Sequence, residues 1–335
     1  MGGLALKNCF TRRASRSEFD EISSIVKNKM LTLFTMVDIP LFYKTKDSFG
    51  DIDIICANDN IISNFDFYNW ILDTFKSKEI FHNTNVWSFE FMQIQIDMII
   101  TPEENFDSSV TYYSWNDCSN LIGRYAHRFG LKYGFDGLCY VYRHEDKVLG
   151  EITVSKDIKE ILDFLGLDHS RYARGFESLT DIFDFIAAGK YFDPFMYDMN
   201  TLNRINRERN EKRKTYQEFL KYVEPLKATV TPYVYNKNKQ VYIGLIDRYF
   251  PGFMAQYLDL TAKEARRVAI HDKFNGHIIM EHYPHLSGKE LGNAITAFRS
   301  GFLDQSAYED YVLSNETETI LNRFATELQL NNIIS

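Results

Sequence analysis

The stretch Asp47-Ser48-Phe49-Gly50-Asp51-Ile52-Asp53-Ile54 joins a glycine turn to a run in which acidic and apolar residues alternate. Successive side chains of a β-strand point to opposite faces of the sheet, so Asp51 and Asp53 are predicted to share one face. Two carboxylates held this close repel each other unless a cation lies between them. The stretch therefore predicts a strand that carries two ligands for a divalent metal ion.

A second stretch, Gln93-Ile94-Gln95-Ile96-Asp97-Met98-Ile99, alternates in the same way and places Asp97 on its polar face. If the two strands lie close together, Asp97 supplies a third carboxylate. Three oxygen ligands with open coordination positions are typical of Mg²⁺ or Mn²⁺, which take their remaining ligands from phosphates. The pair of strands predicts a two-metal site for phosphoryl transfer, whereas the first acidic pair alone is more often a solvated strand edge or turn.

Composition limits the class of protein. The 335 residues include 45% hydrophobic residues and carry a formal net charge of -8, which is typical of a globular protein with a substantial core. The negative charge argues against nucleic-acid binding by the whole surface and leaves room for a local basic patch. The four cysteines are widely spaced and predict neither a disulfide framework nor a zinc site. Because we find no apolar run of membrane-spanning length and no signal peptide, we expect a cytoplasmic protein without membrane contact.

Periodicity predicts a mixed α+β fold. Apolar residues at helical spacing predict helices over residues 17–36, with Ser17 and Asp20 as a capping box, and over residues 65–77 and 155–165. Alternating patterns predict a hairpin of residues 138–142 and 148–154 around a charged turn at residues 143–147. Strands and helices in this order indicate a small sheet with helices packed on its back.

The order and spacing of these features resemble the palm and thumb of the family X DNA polymerases, the group that contains polymerase beta. That family's active strand is a Ser, Gly, Asp, apolar, Asp run after basic residues, which is similar to Lys44, Lys46, Ser48, Gly50, Asp51 and Asp53. Asp97 stands in the place of its third catalytic aspartate. Tyr112 and Tyr113 resemble the family's sugar-side aromatic pair. Asp117 and Asn120 resemble its Asp and Asn near the base, and Arg124 resembles its arginine one helical turn later. The resemblance covers roughly residues 40–168.

The resemblance implies a fold and an activity. The fold is α+β, with a polymerase-beta-like nucleotidyltransferase palm over residues 1–105, a thumb-like nucleotide-binding segment over 106–175 and a mainly helical C-terminal domain over 176–335. Asp51 and Asp53 hold two Mg²⁺ or Mn²⁺ ions, and Asp97 holds the catalytic one. The expected nucleotide contacts are Lys44, Lys46, Ser48, Gly50, Tyr112, Tyr113, Asp117, Asn120 and Arg124. The activity is transfer of a nucleotide from a nucleoside triphosphate to a nucleic-acid 3′ hydroxyl, as in a DNA polymerase or a terminal transferase of tRNA or other RNA.

Three features depart from that family. Pro40 and Leu41 replace the Gly-Ser pair with which the superfamily holds the triphosphate, and Trp115 and Asn116 replace a second Gly-Ser. Only about forty residues precede the predicted palm, so we expect neither the lyase domain nor the helix-hairpin-helix domain of repair polymerases. A catalytically silent nucleic-acid-binding or structural protein that keeps the fold is therefore the alternative. The two lysines before the acidic strand likewise predict either a triphosphate contact or a solvated turn.

A basic run in the second half suggests contact with nucleic acid. Residues 203–222 carry Arg204, Arg207, Arg209, Lys212, Arg213, Lys214 and Lys221. The run is either a surface that tracks phosphates or a solvated helix whose cations pair with Glu208 and Glu211. We favour the first interpretation because this local positive charge stands in an acidic chain.

Overall fold

The structure, a computed structural model, describes residues 3–61, 64–144 and 147–330. The chain divides into two compact units, Met1–Phe253 and Met254–Ser335. The predicted boundaries near residues 105 and 175 both lie inside the first unit. Hydrogen bonds across the predicted boundary at residue 175 explain why the chain does not divide there. Arg124 donates to the carbonyl oxygen of Met196, and Tyr125 donates to that of Ile186.

The strands of the described residues all lie in the first unit. They are β1 (Ala14–Ser15), β2 (Met36–Asp38), β3 (Ser48–Phe49), β4 (Asp51–Ala57), β5 (Ile80–Asn83), β6 (Val86–Phe91), β7 (Ile94–Ile100), β8 (Leu131–Gly134), β9 (Gly137–His144) and β10 (Lys147–Ser155). Five of them form a mixed sheet in the order β2-β4-β7-β6-β5, in which β4 and β7 are parallel and the other pairs antiparallel. Strands β8, β9 and β10 form an antiparallel sheet, and β1 pairs with β3.

Helices make up most of the remainder. The first unit contains α1 (Arg16–Met30), α2 (Phe67–Phe75), α3 (Phe106–Tyr113), α4 (Cys118–Arg128), α5 (Ile158–Phe164), α6 (His169–Arg174), α7 (Leu179–Ala187), α8 (Arg204–Glu211), α9 (Lys214–Val223), α10 (Leu226–Thr229) and α11 (Ile243–Tyr249). Helices α12 (Phe253–Lys273), α13 (Gly276–His282), α14 (Gly288–Ser300), α15 (Gln305–Ser314) and α16 (Thr317–Leu330) follow. The predicted α+β class, with a mixed sheet and a helical C-terminal region, is confirmed.

The main core lies between one face of the mixed sheet and helices α1 and α2. Strands β4 and β7 contribute the buried residues Ile52, Ile54, Cys56, Ile94, Ile96 and Met98. Helix α1 contributes Phe19, Ile22, Val26 and Met30. Because alternate residues of a strand point to opposite faces, this burial directs Asp51, Asp53, Gln95 and Asp97 to the other face of the sheet.

The first helix begins and ends earlier than predicted. Its cap is Ser15 instead of Ser17, and the reciprocal hydrogen bonds of the capping box join Ser15 to Glu18. The helix ends at Met30, and residues 36–38 pair with β4 instead of continuing it. Backbone pairing with the sheet therefore prevailed over a helical periodicity that continues through Phe34.

The other predicted elements of the first half are present. Helix α2 lies within residues 65–77, and α5 begins after Asp157, whose side chain accepts hydrogen bonds from the backbone of Lys159 and Glu160. Strands β9 and β10 form the predicted hairpin, with Leu138 opposite Ser155. The tip of its charged turn, at residues 145 and 146, lies outside the described residues.

The second unit is a helical bundle with its own core. Phe274, Phe298 and Phe324 form the centre of that core, and the three rings contact one another at centroid distances of 5.1 to 5.4 Å. In the part of the chain that the structure describes, none of the helices has the length and apolar character needed to cross a membrane.

Candidate metal centre and adjoining cavity

Three carboxylates meet on the polar face of the mixed sheet. The parallel register of β4 and β7 places Asp53 directly opposite Asp97, and Asp51 lies two residues earlier on the same face. One carboxylate oxygen from each residue lies within 4.8 Å of the other two. The cluster can therefore hold a metal ion, and its oxygen ligands suit a divalent cation such as Mg²⁺.

The electrostatics of this cluster favour a cation. Burial raises the pKa of Asp53 well above its ordinary value, and the charges of Asp51 and Asp97 raise it further. Burial also raises the pKa of Asp97 to about 6, assisted by Asp51, while hydrogen bonds from Ser88 and Gln95 act in the opposite direction. Ionised carboxylates are therefore costly here without compensation, and a divalent ion supplies that compensation.

Gln95 holds Asp97 in place and joins it to the N-terminal segment. Its Nε2 donates to Oδ1 and Oδ2 of Asp97 at 2.9 and 3.0 Å, and its Oε1 accepts from the Ala5 backbone at 2.9 Å. The side chain is 2% exposed. The alternation of β7 predicted Gln95 on the acidic face, but no sequence pattern indicated that its side chain would orient Asp97.

The N-terminal segment also reaches the first carboxylate. The backbone N–H of Gly3 donates to Oδ2 of Asp51 at 3.0 Å. Gly3 has a φ of 80°, and a Cβ at this position would lie 2.2 Å from the carbonyl oxygen of Gly50. Glycine is required at residue 3 for both reasons. One oxygen of Asp51 is therefore oriented by a segment forty-eight residues away in sequence, a contact that no local pattern predicted.

A cavity of about 560 Å³ adjoins the carboxylates. Among the residues predicted to contact metal or nucleotide, those that line it are Lys46, Asp51, Asp53, Tyr112, Tyr113, Asp117 and Asn120. Of the described residues, Lys44, Ser48, Gly50, Asp97 and Arg124 are not part of its lining. The structure therefore brings most of the predicted site together in one place.

Of the two lysines before the acidic strand, only Lys46 faces the carboxylates. Its Nζ donates to Oδ1 of Asn116 at 3.1 Å and lies 4.6 Å from the centre of the Phe49 ring. Burial lowers the pKa of Lys46, and the charges of Asp51 and Asp53 oppose that change. Lys44 points elsewhere, because its ammonium group is paired with Glu177.

Ser48 and Arg124 lie outside the cavity for structural reasons. The hydroxyl of Ser48 accepts a hydrogen bond of 2.8 Å from Nε of Arg13, which ties β3 to the segment before α1. Arg124 is buried and donates to the carbonyl oxygen of Met196 from Nε at 3.0 Å and from its NH2 group at 2.7 Å. The expected phosphate or template contact of Arg124 thus has no counterpart here, and the side chain anchors the turn Pro194–Tyr197 to α4.

Two aromatic rings and two polar residues form the far walls of the cavity. The rings of Tyr112 and Tyr113 meet edge to face at 5.4 Å. Burial raises the pKa of Tyr113 to about 12, with a further contribution from Asp53. Asp117 is paired with Arg213, and Asn120 donates to Oδ1 of Asn210 at 3.1 Å.

The loop that contains Trp115 and Asn116 is strained. Trp115 and Asn116 both have positive φ, 61° and 58°, in the left-handed region that bulky residues rarely adopt. Two contacts of Trp115 hold this conformation. Its ring packs edge to face on Phe176 at 5.2 Å, and its backbone N–H donates to the carbonyl oxygen of Leu41. The strain places Asn116 beside Lys46, and strain of this kind is common near functional sites.

The basic run of residues 203–222 forms two helices, whereas the alternative of a solvated helix treated it as one. Helix α8 ends at Glu211 and α9 begins at Lys214, with Arg213 in extended conformation between them. The break brings Arg209, Lys212 and Arg213 to the cavity wall. These cations were predicted as a surface for nucleic acid, and the sequence held no signal that they would face the carboxylates.

A second cluster of possible metal ligands consists of Asp136, Cys139 and Glu151. Lys132 already occupies it, since its Nζ donates to Asp136 at 3.1 Å and to Glu151 at 2.8 Å. Burial raises the pKa of the Cys139 thiol to about 12, which disfavours the thiolate that a metal needs. This cluster is therefore an ion-pair network that joins β8 to β10.

Comparison of the chain with protein-family models and with curated protein sequences gives no match.

Proposed function

We propose that this protein is a metal-dependent nucleotidyltransferase with a polymerase-beta-like palm, which transfers a nucleotide from a nucleoside triphosphate to a nucleic-acid 3′ hydroxyl. The observation that carries the proposal is the cluster of Asp51, Asp53 and Asp97 beside a cavity of about 560 Å³. That volume is in the range of small-molecule sites. The resemblance of residues 40–168 to family X polymerases supports the same activity.

In this proposal, Asp51, Asp53 and Asp97 hold Mg²⁺ or Mn²⁺. When bound, such ions would supply the chemistry of two-metal phosphoryl transfer, with a lowered pKa of the attacking hydroxyl and stabilised charge on the leaving pyrophosphate. Gln95 orients Asp97 through both carboxylate oxygens, and Lys46 contributes a positive charge beside the other two carboxylates. Preorganised charges of this kind are the main source of catalysis in phosphoryl transfer.

The cost of the carboxylate cluster argues for a catalytic role over a silent one. A protein that only binds nucleic acid gains nothing from three acidic groups whose oxygens lie within 4.8 Å of one another. Burial and mutual repulsion raise the pKa of Asp53 and Asp97, so the cluster destabilises the metal-free fold at neutral pH. Groups with such strongly perturbed pKa values are typical of functional sites.

The proposal is tested by incubating the protein with labelled nucleoside triphosphates and with DNA, tRNA and other RNA as acceptors. We expect incorporation that requires Mg²⁺ or Mn²⁺ and stops when EDTA is added. Tight binding of nucleic acid without product under every condition would instead support the catalytically silent alternative.

The aromatic pair of the cavity predicts a choice of sugar. Because Tyr112 and Tyr113 occupy the place of the family's sugar-side aromatic pair and line the cavity, their bulk should obstruct a 2′-hydroxyl. We expect deoxynucleoside triphosphates to react at least about tenfold faster than ribonucleoside triphosphates. Tyr113→Ala should narrow this ratio, and Tyr113→Phe, which keeps the ring, should preserve it. Equal rates for both sugars in the wild-type protein would contradict the prediction.

A further inference from the structure

Two cations of the α8–α9 segment are exposed and face the cavity without partners. Arg209 and Lys212 both line the cavity. Throughout residues 3–61, 64–144 and 147–330, neither side chain takes part in an ion pair or a side-chain hydrogen bond, in contrast to most cations around them. Unpaired positive charge at the wall of a cavity is available for an anionic ligand.

The neighbouring arginines are already engaged. Arg204 forms an ion pair with Glu208 at 2.9 Å, and Arg213 is paired with Asp117. Arg207 donates to the carbonyl oxygens of Met199 and Leu202 at 3.2 and 3.1 Å. The side chains of these three arginines are thus engaged within the fold, whereas Arg209 and Lys212 line the cavity beside the carboxylates.

The part of the lining formed by Pro40 and Leu41 offers little to a phosphate. Pro40 has no backbone N–H, and the N–H of Leu41 is taken by the hydroxyl of Ser114 at 2.9 Å. Both residues line the cavity, so this portion of its wall is apolar. A phosphate chain in the cavity must therefore find its donors elsewhere.

Arg209 and Lys212 line the same cavity as Asp51 and Asp53, so one ligand in that cavity can contact both groups. The lining of the cavity thus combines carboxylates, where metal ions fit, with the cations Arg209 and Lys212. A polyphosphate that coordinates metal with some of its oxygens needs positive charge for the remainder.

We infer that Arg209 and Lys212 form the subsite for the triphosphate of the incoming nucleotide, in place of the Gly-Ser pair that Pro40 and Leu41 replace. This inference rests on the proposed function. Arg209 can bind two phosphate oxygens with its planar guanidinium, and Lys212 contributes a point charge. Arg209 and Lys212, which were predicted from the sequence to contact nucleic acid, are thereby assigned to binding of the nucleotide.

The test measures binding of inorganic tripolyphosphate in the presence of Mg²⁺ by isothermal titration calorimetry. Arg209→Ala and Lys212→Ala should each weaken binding roughly tenfold, the usual effect of losing one charge-assisted contact. Lys214→Ala is the matched control, because Lys214 is exposed, lies next to the same break and does not line the cavity. It should bind tripolyphosphate as the wild-type protein does, and all three variants should keep the wild-type thermal transition.

The outcomes separate this inference from the proposed function. Weaker tripolyphosphate binding by the two cavity variants supports the subsite even if no nucleotide is ever incorporated. Unchanged affinity in both variants, or no binding by the wild-type protein, overturns the subsite even if metal-dependent incorporation is observed. A loss of affinity in Lys214→Ala equal to that of the cavity variants also overturns it, because the effect would then be one of general surface charge.

Discussion

Replacing Asp53 with asparagine should abolish metal-dependent nucleotide transfer, with a loss of about 10³-fold or more in turnover. Asparagine keeps the shape of the side chain and removes the charge that binds the ions. The measurement is incorporation of labelled nucleotide at saturating Mg²⁺. Asp47→Asn is the matched control, since Asp47 is exposed, precedes the same strand and lies outside the metal cluster.

The same variant should be more stable than the wild-type protein when metal is removed. The pKa of Asp53 is raised in the folded state, so this carboxyl group destabilises the fold at pH values above its unfolded-state pKa, and asparagine relieves that cost. The gain in melting temperature should be present at pH 7 and disappear near pH 4, where Asp53 is protonated in the native protein. If the variant kept wild-type turnover, or melted at a lower temperature than the wild-type protein at pH 7, Asp53 would not be a metal ligand.

Lowering the pH from 7 to 5 should weaken Mn²⁺ binding about tenfold through Asp97 alone. A metal ion binds the ionised carboxylate, and a pKa of about 6 makes Asp97 mostly ionised at the higher pH and mostly protonated at the lower one. Protonation of Asp53, whose pKa is also raised, should increase the effect. Titration followed by electron paramagnetic resonance measures free Mn²⁺ directly.

Asp97→Asn is the informative comparison for the pH dependence. The variant should bind Mn²⁺ less tightly at pH 7, and its affinity should change less between pH 7 and pH 5 because one titrating ligand is gone. His127 also titrates in the acid range, since burial lowers its pKa to about 4, but it is common to both proteins and cancels in the comparison. Equal Mn²⁺ affinity of the wild-type protein at both pH values would show that Asp97 is not a ligand.

Alternation along two strands was sufficient to predict the acidic face. Ile52, Ile54, Ile94 and Ile96 are buried in one core, so the carboxylates must point the other way, as the period of two requires. The hairpin of β9 and β10 was predicted on the same grounds. These features depend on residues within a few positions of one another, which is the range over which a sequence pattern carries information.

The predicted end of the first helix was wrong because distant contacts decide it. Pairing of residues 36–38 with β4 ends the continuous helix expected through Met36. In the basic run, the ion pair of Arg213 with Asp117, ninety-six residues away, accompanies the break between α8 and α9. Helical periodicity is a local preference, and pairing with a sheet or with a distant charged residue can outweigh it.

By itself, the sequence determined that Asp51 and Asp53 share a face, that Asp97 lies on the polar face of a second strand, and that the fold is α+β. Only the tertiary structure decided that β4 and β7 are parallel neighbours with Asp53 opposite Asp97. It also decided that Arg124 turns inward and that Arg209 faces the cavity. The physical reason is that side-chain alternation is set by adjacent residues, whereas the partner of a strand and the surroundings of a charge depend on packing between segments far apart in the chain.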